Sequence, residues 1–352
     1  MQIENDVKLD FNDVLIKPKR TQASSRSQVD LSRKFKFLNH KTNITDLIDV
    51  GVPLIAANMD SVGTIEMAKV LAKYNCWTAL HKFYGLDVLE RFFKEEQETA
   101  RKVFYTTGTS DDDYKKLRML YKLAVPLEFI LLDAANGYQE NFVDKTKELR
   151  DWFPNCVLMA GNVCTGEMTQ ELLIRGGADI IKVGIGGGSA CRTRHVAGVG
   201  VPQLSAIIDC ADAAHGLGGH VCSDGGCRTP GDVSKALAAG ADFVMLGGML
   251  SGTDQCAGDR ITDEKGNIKA IKFYGMSSKE AMEKHYGGKA NYRASEGRCM
   301  ESAYKGDAKN VIEEILGGIR STCTYVGTTK LKDLSKCTTF IRVNRIHDNP
   351  SI

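Results

Sequence analysis

Short apolar runs alternate with amphipathic stretches along most of the chain. Eight runs of five to seven residues have this form, and each predicts a buried strand. They cover 52–58, 76–80, 103–107, 128–133, 156–161, 179–184, 220–224 and 242–247. Stretches with helical periodicity lie between them, for example at 64–74, 139–151, 166–175 and 202–215, and a last helix is expected at 308–320.

Strands that alternate with helices predict a parallel sheet, because parallel neighbours need a long crossover connection. Eight such units are typical of an α/β fold of the (β/α)8 TIM barrel type, whose usual length is about 250 residues. An internal echo supports this: GADIIKVG at 177–184 resembles GADFVMLG at 240–247, at the sixth and eighth strands. An open, doubly wound sheet is the alternative, and the even spacing favours the barrel.

The chain is longer than a minimal barrel, so the surplus must lie in extensions. One is the N-terminal lead, and the other is a long polar stretch after the eighth strand. Within that stretch, the alternation IKAIKFY at 268–274 is typical of one arm of a hairpin. Long insertions on compact domains are usually functional. We therefore expect a single barrel domain over 1–352, with a flap insertion at 249–306; a merely decorative insertion is the alternative.

Composition excludes several classes of protein. Lys and Arg total 46 against 44 Asp and Glu, so no overall field recruits nucleic acid or an anionic membrane. The longest apolar stretches are too short to span a bilayer. The 11 cysteines are odd in number, and residues 1–10 contain no apolar signal core. We therefore expect free thiols and a cytosolic protein. Cys222 and Cys227 have no second pair nearby, which disfavours a zinc site.

Glycine clusters follow the last two predicted strands. The seventh ends in SDGG at 223–226 and the eighth in LGG at 246–248. In TIM barrels, phosphate often binds after these two strands, and glycines let backbone N–H groups approach an anion. The pattern predicts a phosphorylated ligand, with Asp224 accepting hydrogen bonds from sugar hydroxyls. Tight turns without a ligand are the alternative.

The sixth strand ends in a glycine-rich loop that carries a cysteine. Cys191 follows GIGGGSA at 184–190 and is flanked by Arg192, Arg194 and His195. Basic neighbours favour the nucleophilic thiolate, so Cys191 is our candidate nucleophile. A Cys191–His195 pair for acyl transfer is also possible, but the sequence identifies no third group to orient the histidine.

Other chemistry-bearing residues have simpler interpretations. Cys76, Cys156 and Cys222 lie in strand-like runs, so we expect them in the core. Lys82 follows the second strand at the barrel mouth, where it could hold an anion or remain a solvated surface lysine.

Together these motifs resemble the IMP dehydrogenase/GMP reductase superfamily and, within it, the GMP reductases. The resemblance covers nearly the whole chain. It includes FNDVLIKPKR at 11–20, AANMDSVGT at 56–64, SDGGCRTPGDV at 223–233, ADFVMLGGML at 241–250, FYGMSS at 273–278, YRASEGR at 292–298 and STCTYVG at 321–327. Dehydrogenase relatives usually carry CBS modules after the second strand, where this chain has room for one helix only, so we expect no CBS modules. The Arg-Tyr pair of the dehydrogenase flap is not found.

The resemblance implies NADPH-dependent reductive deamination of GMP to IMP and ammonia, in purine nucleotide salvage. Cys191 would form a covalent thioimidate with the purine, while Thr193 and Glu296 would transfer protons to the departing amine. Two alternatives stay open: an IMP dehydrogenase that lacks CBS modules, and a purine-nucleotide-binding protein with impaired catalysis.

The resemblance also assigns binding residues. Those implied for GMP are Ser189, Asp224, Gly225, Gly226, Gly247, Gly248, Tyr274, Gly275, Met276, Ser277, Arg293, Ala294, Ser295 and Gly297. Among them, the phosphate cradle is matched by Ser189, Gly226, Gly247, Gly248 and Tyr274, and base and flap contacts are matched by Met276, Ser277, Arg293 and Gly297. Those implied for NADPH are Ser25, Arg26, Lys82, Asp133, Ala134, Ala135, Ile185, Gly186, Met276, Tyr292, Arg293, Ser321, Thr322, Cys323 and Thr324. Part of the cofactor surface would come from a neighbouring subunit, because the family forms homotetramers.

The catalytic loop departs from the family pattern at two positions. The resemblance implies a K⁺ ion near Gly186, Gly188, Cys191 and Arg194, held mainly by backbone carbonyls. Gly187 stands where the family has proline, and Arg192 stands where it has a small residue. Glycine loosens the loop. Arg192 could repel the cation, supply its charge, or simply point to solvent.

Overall fold

The computed structural model describes residues 1–40, 50–288 and 294–344. The strands, in chain order, are β1 (Val14–Ile16), β2 (Arg33–Lys34), β3 (Val50–Gly51), β4 (Leu54–Ala56), β5 (Trp77–Leu80), β6 (Val103–Thr107), β7 (Phe129–Asp133), β8 (Val157–Val163), β9 (Ile180–Val183), β10 (His220–Asp224), β11 (Phe243–Leu246), β12 (Arg260–Thr262), β13 (Ile268–Tyr274), β14 (Cys299–Ala303) and β15 (Phe340–Arg342). The helices are α1 (Ile65–Lys73), α2 (Leu86–Glu95), α3 (Gln97–Ala100), α4 (Asp111–Lys122), α5 (Glu140–Trp152), α6 (Gly166–Ile174), α7 (Thr193–Val196), α8 (Gln203–Gly216), α9 (Pro230–Ala238), α10 (Lys279–Tyr286), α11 (Ala308–Val326) and α12 (Leu334–Cys337).

The predicted TIM barrel is confirmed. Strands β4 to β11 pair in parallel and close on themselves, with β11 hydrogen-bonded to β4. Seven of the eight predicted apolar runs contain one of these strands, and the run at 156–161 contains the first five residues of β8, which continues to Val163. Between β5 and β6 the chain forms α2 and the four-residue α3, where the sequence predicted one helix.

Large apolar side chains fill the barrel, and the N-terminal lead closes one end of it. Trp77, Phe104, Phe129 and Phe243 are fully buried in one cluster. Phe35, from the lead, stacks on Phe243 with ring centroids 4.3 Å apart. The lead therefore covers the end of the barrel at which the strands begin, and leaves the opposite end available for a site.

The sequence similarity between 177–184 and 240–247 has a structural basis. Asp179 Oδ2 accepts a hydrogen bond from Leu158 N at 2.9 Å, and Asp242 Oδ2 accepts one from Val221 N at 3.0 Å. Each carboxylate also pairs with an arginine side chain, at 2.5 and 2.9 Å respectively. In both copies the aspartate thus fixes the start of its strand to the strand before it.

Helix α11 is longer than the sequence predicts. The pair Gly317 and Gly318 lies inside the helix, which continues to Val326 and ends at Gly327, a left-handed residue with φ of 83°. Gly318 packs on α9, where an added β-carbon would lie 2.5 Å from Cβ of Pro230. The glycine here permits close helix packing instead of ending the helix.

The stretch after β11 forms an antiparallel sheet in the order β12-β13-β14, with α10 between β13 and β14. The predicted hairpin arm at 268–274 is β13. An isolated antiparallel bridge between Cys191 and Gly297 connects the end of this insertion to the loop after β9. The insertion therefore lies over the carboxyl ends of the barrel strands.

All eleven cysteines are free thiols, as predicted. Cys76, Cys156 and Cys222 are buried, which confirms their assignment to the core. Burial raises the pKa of Cys76 and of Cys156 to about 12. None of the helices in the described parts of the chain has both the length and the apolarity that a bilayer-spanning segment needs.

Candidate active site

Glycines shape the loop that carries the candidate nucleophile. At Gly184 φ is 143°, and an added β-carbon would lie 2.0 Å from the carbonyl oxygen of Asp224. Gly186 has φ of 83°. Side chains at these positions would be strained, so glycine lets the loop turn tightly across the end of β10. Cys191, at the far end of the loop, is partly exposed.

Cys191, Thr193 and Glu296 form a chain of hydrogen bonds. The Sγ of Cys191 lies 3.3 Å from Thr193 Oγ1, and that hydroxyl donates to Glu296 Oε2 at 2.7 Å. Such a chain can pass a proton from the thiol through the hydroxyl to the carboxylate. His195 makes no hydrogen bond with Cys191 in the described part of the chain, so the acyl-transfer interpretation lacks its geometry.

The main chain holds Glu296 beside the nucleophile. The N–H of Arg192 donates to the Glu296 carbonyl at 2.6 Å, and the N–H of Arg298 donates to the Ala190 carbonyl at 3.0 Å. These bonds flank the bridge between Cys191 and Gly297. The flap insertion thus supplies one of the three candidate catalytic groups.

The glycine-rich loops that follow β9, β10 and β11 meet next to this chain of hydrogen bonds. Gly226 N donates to the Gly187 carbonyl at 2.9 Å. A β-carbon on Gly248 would lie 2.6 Å from Ser189 Oγ, so a side chain there would displace the serine. The residues predicted for a phosphate or its surroundings that lie in these loops are Ser189, Gly225, Gly226, Gly247 and Gly248. The arrangement supplies backbone N–H groups and a hydroxyl suited to an anion.

A buried lysine, which sequence analysis missed, joins two predicted carboxylates. Lys182 Nζ lies 2.5 Å from Asp224 Oδ2, 3.0 Å from Asp133 Oδ1 and 2.8 Å from Asn162 Oδ1. Burial lowers the pKa of Lys182, but the two carboxylates outweigh this and raise it above its usual range. Asn162 also donates to Asp224 Oδ2 at 2.9 Å. The sequence signal was a single charged residue inside an otherwise apolar strand.

The flap residues predicted to contact the base lie close to the catalytic loop. Gly297 N donates to the Ser277 carbonyl at 3.1 Å, and Ser295 Oγ donates to the Gly297 carbonyl at 3.1 Å. A β-carbon on Gly275 would lie 2.8 Å from the Ala190 carbonyl oxygen. Met276 and Ala294 adjoin these contacts in the chain, whereas Tyr292 and Arg293 lie outside the described residues.

Tyr274, assigned to the phosphate cradle by the resemblance, contacts a carboxylate through its hydroxyl. Its hydroxyl donates to Asp60 Oδ2 at 2.7 Å, and Lys284 and His285 contact the same oxygen at 3.0 and 2.7 Å. Burial raises the pKa of Asp60, but these hydrogen bonds outweigh it and lower the pKa below its usual value. The contacts attach α10 and β13 of the flap to the loop after β4.

The residues predicted for the cofactor fall into two groups. The first group lies at or just after the ends of strands at the barrel mouth and consists of Lys82, Asp133, Ala134, Ala135, Ile185 and Gly186. Lys82 Nζ pairs there with Asp113 at 2.8 Å. Ser321, Thr322, Cys323 and Thr324 lie near the far end of α11, about 20 Å along the helix from its start beside the mouth. Arg26 begins a short 3-10 helix, Arg26–Gln28, which contacts α11, and Ser25 is the residue that caps it. One chain does not bring the two groups together, and the side chain of Cys323 is fully buried.

The residues predicted for potassium line a single cavity of about 430 Å³ between the catalytic loop and the N-terminal lead. Gly186, Gly188, Cys191 and Arg194 all contribute to its wall. The Gly188 carbonyl already accepts a hydrogen bond from Cys191 N at 3.0 Å. Arg194 pairs with Asp10 at 2.7 Å.

Comparisons with known proteins agree with this arrangement. The model of the family described as "IMP dehydrogenase / GMP reductase domain" matches residues 8–347. The chain is 55% identical over 343 residues to GMP reductase 2 of Homo sapiens, covering 97% of this chain and 96% of the relative. It is 54% identical over 347 residues to GMP reductase 1 of Rattus norvegicus, covering 99% and 98%. It is also 54% identical over 344 residues to GMP reductase of Edwardsiella ictaluri (strain 93-146), covering 97% of each.

Proposed function

The chain belongs to the IMP dehydrogenase / GMP reductase family, and from that premise we propose that it reductively deaminates GMP. The reaction converts GMP, NADPH and two protons into IMP, NADP⁺ and ammonium, a step of purine nucleotide salvage. The observation that carries the proposal is the chain of hydrogen bonds from Cys191 through Thr193 to Glu296.

Cys191 is the nucleophile of the proposed reaction. Its sulfur bonds to C2 of the purine, the bond between C2 and the exocyclic nitrogen breaks, and a thioimidate remains on the enzyme. This covalent intermediate divides one difficult displacement into two easier steps. When bound, NADPH supplies the hydride that C2 receives before the sulfur departs with its bonding electrons.

Thr193 and Glu296 move the protons. The thiol proton passes to Thr193 Oγ1 while the Thr193 proton passes to Glu296, and the same path returns a proton to the departing amine. An amine leaves readily only when protonated, so this relay matters most in the deamination step.

The barrel mouth holds the substrate. The glycine loops around Ser189 bind the phosphate, and Asp224 accepts hydrogen bonds from the ribose hydroxyls. Lys182 holds Asp224 in place through its ammonium group. The flap segment that carries Glu296 and Gly297 covers the base and excludes water from it.

The residues assigned to the cofactor carry polar groups that suit the ribose and phosphate groups of NADPH. Asp133 keeps a third of its side chain exposed and suits a ribose hydroxyl. Exposed Arg26 and the hydroxyls of Ser25, Ser321 and Thr322 suit phosphate groups. The cofactor residues at the barrel mouth lie near the start of α11, whereas Ser321 and Thr322 lie near its far end. We therefore propose that one cofactor bridges two subunits of a homotetramer.

The residues predicted for potassium fit this cation poorly. Carbonyl oxygens suit this cation, but the cavity that contains the four predicted residues is lined by four arginines and one carboxylate. The excess positive charge opposes cation binding, so the mechanism includes no step that depends on potassium.

The proposal is tested by following the absorbance of reduced nicotinamide and identifying the purine product. Purified protein with GMP should consume NADPH and form IMP and ammonium in equal amounts. If GMP binds by calorimetry but neither NADPH nor NADH is consumed, the protein is a nucleotide-binding protein and the proposal fails. Reduction of NAD⁺ with IMP, without the GMP reaction, would identify a dehydrogenase instead.

The nucleophile is tested by Cys191→Ala. Turnover should be abolished, whereas GMP affinity should stay within about tenfold, or 1.4 kcal/mol, because the phosphate and ribose contacts remain. Cys299→Ala is the matched control, since Cys299 is exposed and has no role in the mechanism. Turnover at the wild-type rate in Cys191→Ala would remove the thiol from the mechanism.

A further inference from the structure

We propose that Asp60 is a positioning residue, which holds the flap segment 275–277 against the base of the substrate. The proposal rests on the function proposed above, because it assigns a further residue to the same reaction. Asp60 lies in the loop after β4 and is 3% exposed. In the described ranges, no hydrogen bond or ion pair joins its side chain to the nucleophile or to the glycine-rich loops. Asp60 therefore acts through the flap.

A tight turn of the barrel holds Asp60 in place. The N–H groups of Val62 and Gly63 both donate to the Met59 carbonyl, at 2.9 and 2.7 Å. The Gly63 carbonyl in turn accepts a hydrogen bond from His81 N at 3.0 Å, directly after β5. The carboxylate is thus carried by a main-chain turn that is bonded to the end of the neighbouring strand, and it gives the flap a fixed point of attachment.

In the part of the chain that the structure describes, every hydrogen-bond donor to the Asp60 side chain comes from the flap. Tyr274 is the last residue of β13, and Lys284 and His285 lie in the last turn of α10. All three contact Oδ2, at 2.7, 3.0 and 2.7 Å, whereas Oδ1 is buried without a partner among the described residues. Because Tyr274 precedes the segment 275–277 and α10 follows it, one carboxylate fixes the chain on both sides of this segment.

The three contacts differ in their exposure to water. The side chain of His285 is 11% exposed, whereas that of Lys284 is 54% exposed. Exposed ion pairs contribute little, because water screens them. The His285 ring also stacks on Phe83 in the loop after β5, with ring centroids 3.5 Å apart. We therefore expect Tyr274 and His285 to hold the flap on Asp60 more strongly than Lys284 does.

The attachment affects catalysis as well as binding, because the flap also carries Glu296. Strand β13, which ends at Tyr274, pairs along its length with β14, which begins three residues after Glu296. The N–H of Gly297, next to Glu296, donates to the Ser277 carbonyl at 3.1 Å. Release of Tyr274 from Asp60 would therefore displace the base contacts and the proton-transfer group together.

The direct test is steady-state kinetics of Asp60→Ala and Asp60→Asn with GMP and NADPH. In Asp60→Ala we expect the KM for GMP to rise and kcat to fall, each by about tenfold or more, because a small displacement of positioned groups has a large kinetic cost. Asp60→Asn keeps an oxygen that Tyr274 and His285 can donate to, so it should recover part of both values. A merely structural defect would reduce the folded fraction, which lowers the apparent kcat and leaves KM unchanged.

Amide hydrogen exchange of the ligand-free protein tests the attachment without the reaction. Asp60→Ala should accelerate exchange in α10 by about tenfold or more, whereas exchange in the barrel strands β4 to β11 should stay within about threefold of the wild type. His285→Gln should act in the same direction, and more strongly than Lys284→Met. Lys279→Met is the matched control, because Lys279 lies on the same helix but pairs with Glu283 at 3.7 Å. Its exchange and kinetics should equal those of the wild type.

The two measurements separate this proposal from the function proposed above. A wild-type protein that consumes no NADPH with GMP overturns the proposed function. Unchanged exchange of α10 in Asp60→Ala overturns the role of Asp60, whether or not the enzyme is active, and so does an unchanged KM for GMP in an active Asp60→Ala. If Asp60→Ala does not fold, Asp60→Asn is judged by the same two criteria, and wild-type values in both again overturn the role.

Discussion

Replacing Lys182 by methionine tests the polar centre of the barrel mouth. Lys182 is 3% exposed, and its ammonium group contacts Asp133, Asn162 and Asp224 at 3.0, 2.8 and 2.5 Å. Methionine is unbranched and one heavy atom shorter than lysine, and it leaves two carboxylates without their common counterion. Breaking a fully buried ion pair costs about 3–5 kcal/mol.

The expected cost is smaller here, because the carboxylates are not fully buried. Asp133 and Asp224 keep 33% and 24% of their side chains exposed, so water screens part of the uncompensated charge. We expect Lys182→Met to lower the free energy of unfolding by about 2–3 kcal/mol. The measurement is guanidinium unfolding followed by circular dichroism.

The pH dependence adds a second criterion. The folded-state pKa of Lys182 is raised, so its contribution is complete below about 10.4, the value of a free lysine. It is lost only as the pH rises through the raised pKa. The deficit of Lys182→Met relative to the wild type should therefore be the same at pH 6 and pH 9.

Two comparisons make the prediction refutable. Lys182→Arg keeps the charge and should recover part of the stability, whereas Lys73→Met, at an exposed position of α1, should change it by less than about 0.5 kcal/mol. GMP affinity should fall in Lys182→Met, because Asp224 loses the group that holds it. A deficit below about 0.5 kcal/mol together with unchanged GMP affinity would refute the reasoning.

Three further predictions concern other parts of the molecule. Glu296→Gln should slow ammonium release more than hydride transfer to a preformed thioimidate, measured by single-turnover kinetics; equal losses would contradict a proton-transfer role. In α11, Gly317→Ala should raise the free energy of unfolding by about 0.5–1 kcal/mol because its β-carbon meets nothing, whereas Gly318→Ala should lower it because α9 lies too close. His215 forms a hydrogen bond with Asp242, which raises the pKa of the histidine. The stability that the protonated histidine adds is therefore complete below about pH 6.5 and is lost as the pH rises through the raised pKa. We expect His215→Gln to reduce the fall in melting temperature between pH 6 and pH 9.

The barrel could be predicted because its strands are buried on both faces. Each then appears in the sequence as a continuous apolar run, and the run at 128–133 is clear even without its neighbours. The end of α11 could not be predicted in the same way. A glycine that permits close packing and a glycine that ends a helix look alike in sequence, and only the contact of Gly318 with α9 distinguishes them.

Some residues of the candidate site could be predicted from the sequence and others could not. Cys191 could be proposed from its glycine-rich loop and basic neighbours, whereas Thr193 and Glu296 are assigned only by the resemblance to the family. The role of Lys182 could not be predicted, since a lysine in an apolar strand gains its meaning from Asp133 and Asp224, which lie 49 and 42 residues away. Sequence alone does not say which inward positions of neighbouring strands share a layer of the barrel.

The position of Glu296 depends on pairing between two irregular segments. It lies 103 residues from Thr193, and the register that joins them is fixed by the N–H groups of Arg192 and Arg298, which bond to carbonyls across the gap. A shift of one residue in this pairing would turn Glu296 away from Thr193, because alternate side chains of an extended segment point to opposite sides. In the proposed mechanism the flap insertion thus supplies a proton-transfer group as well as a cover, and we expect its deletion to abolish deamination, measured as IMP formation, even where circular dichroism shows that the barrel stays folded.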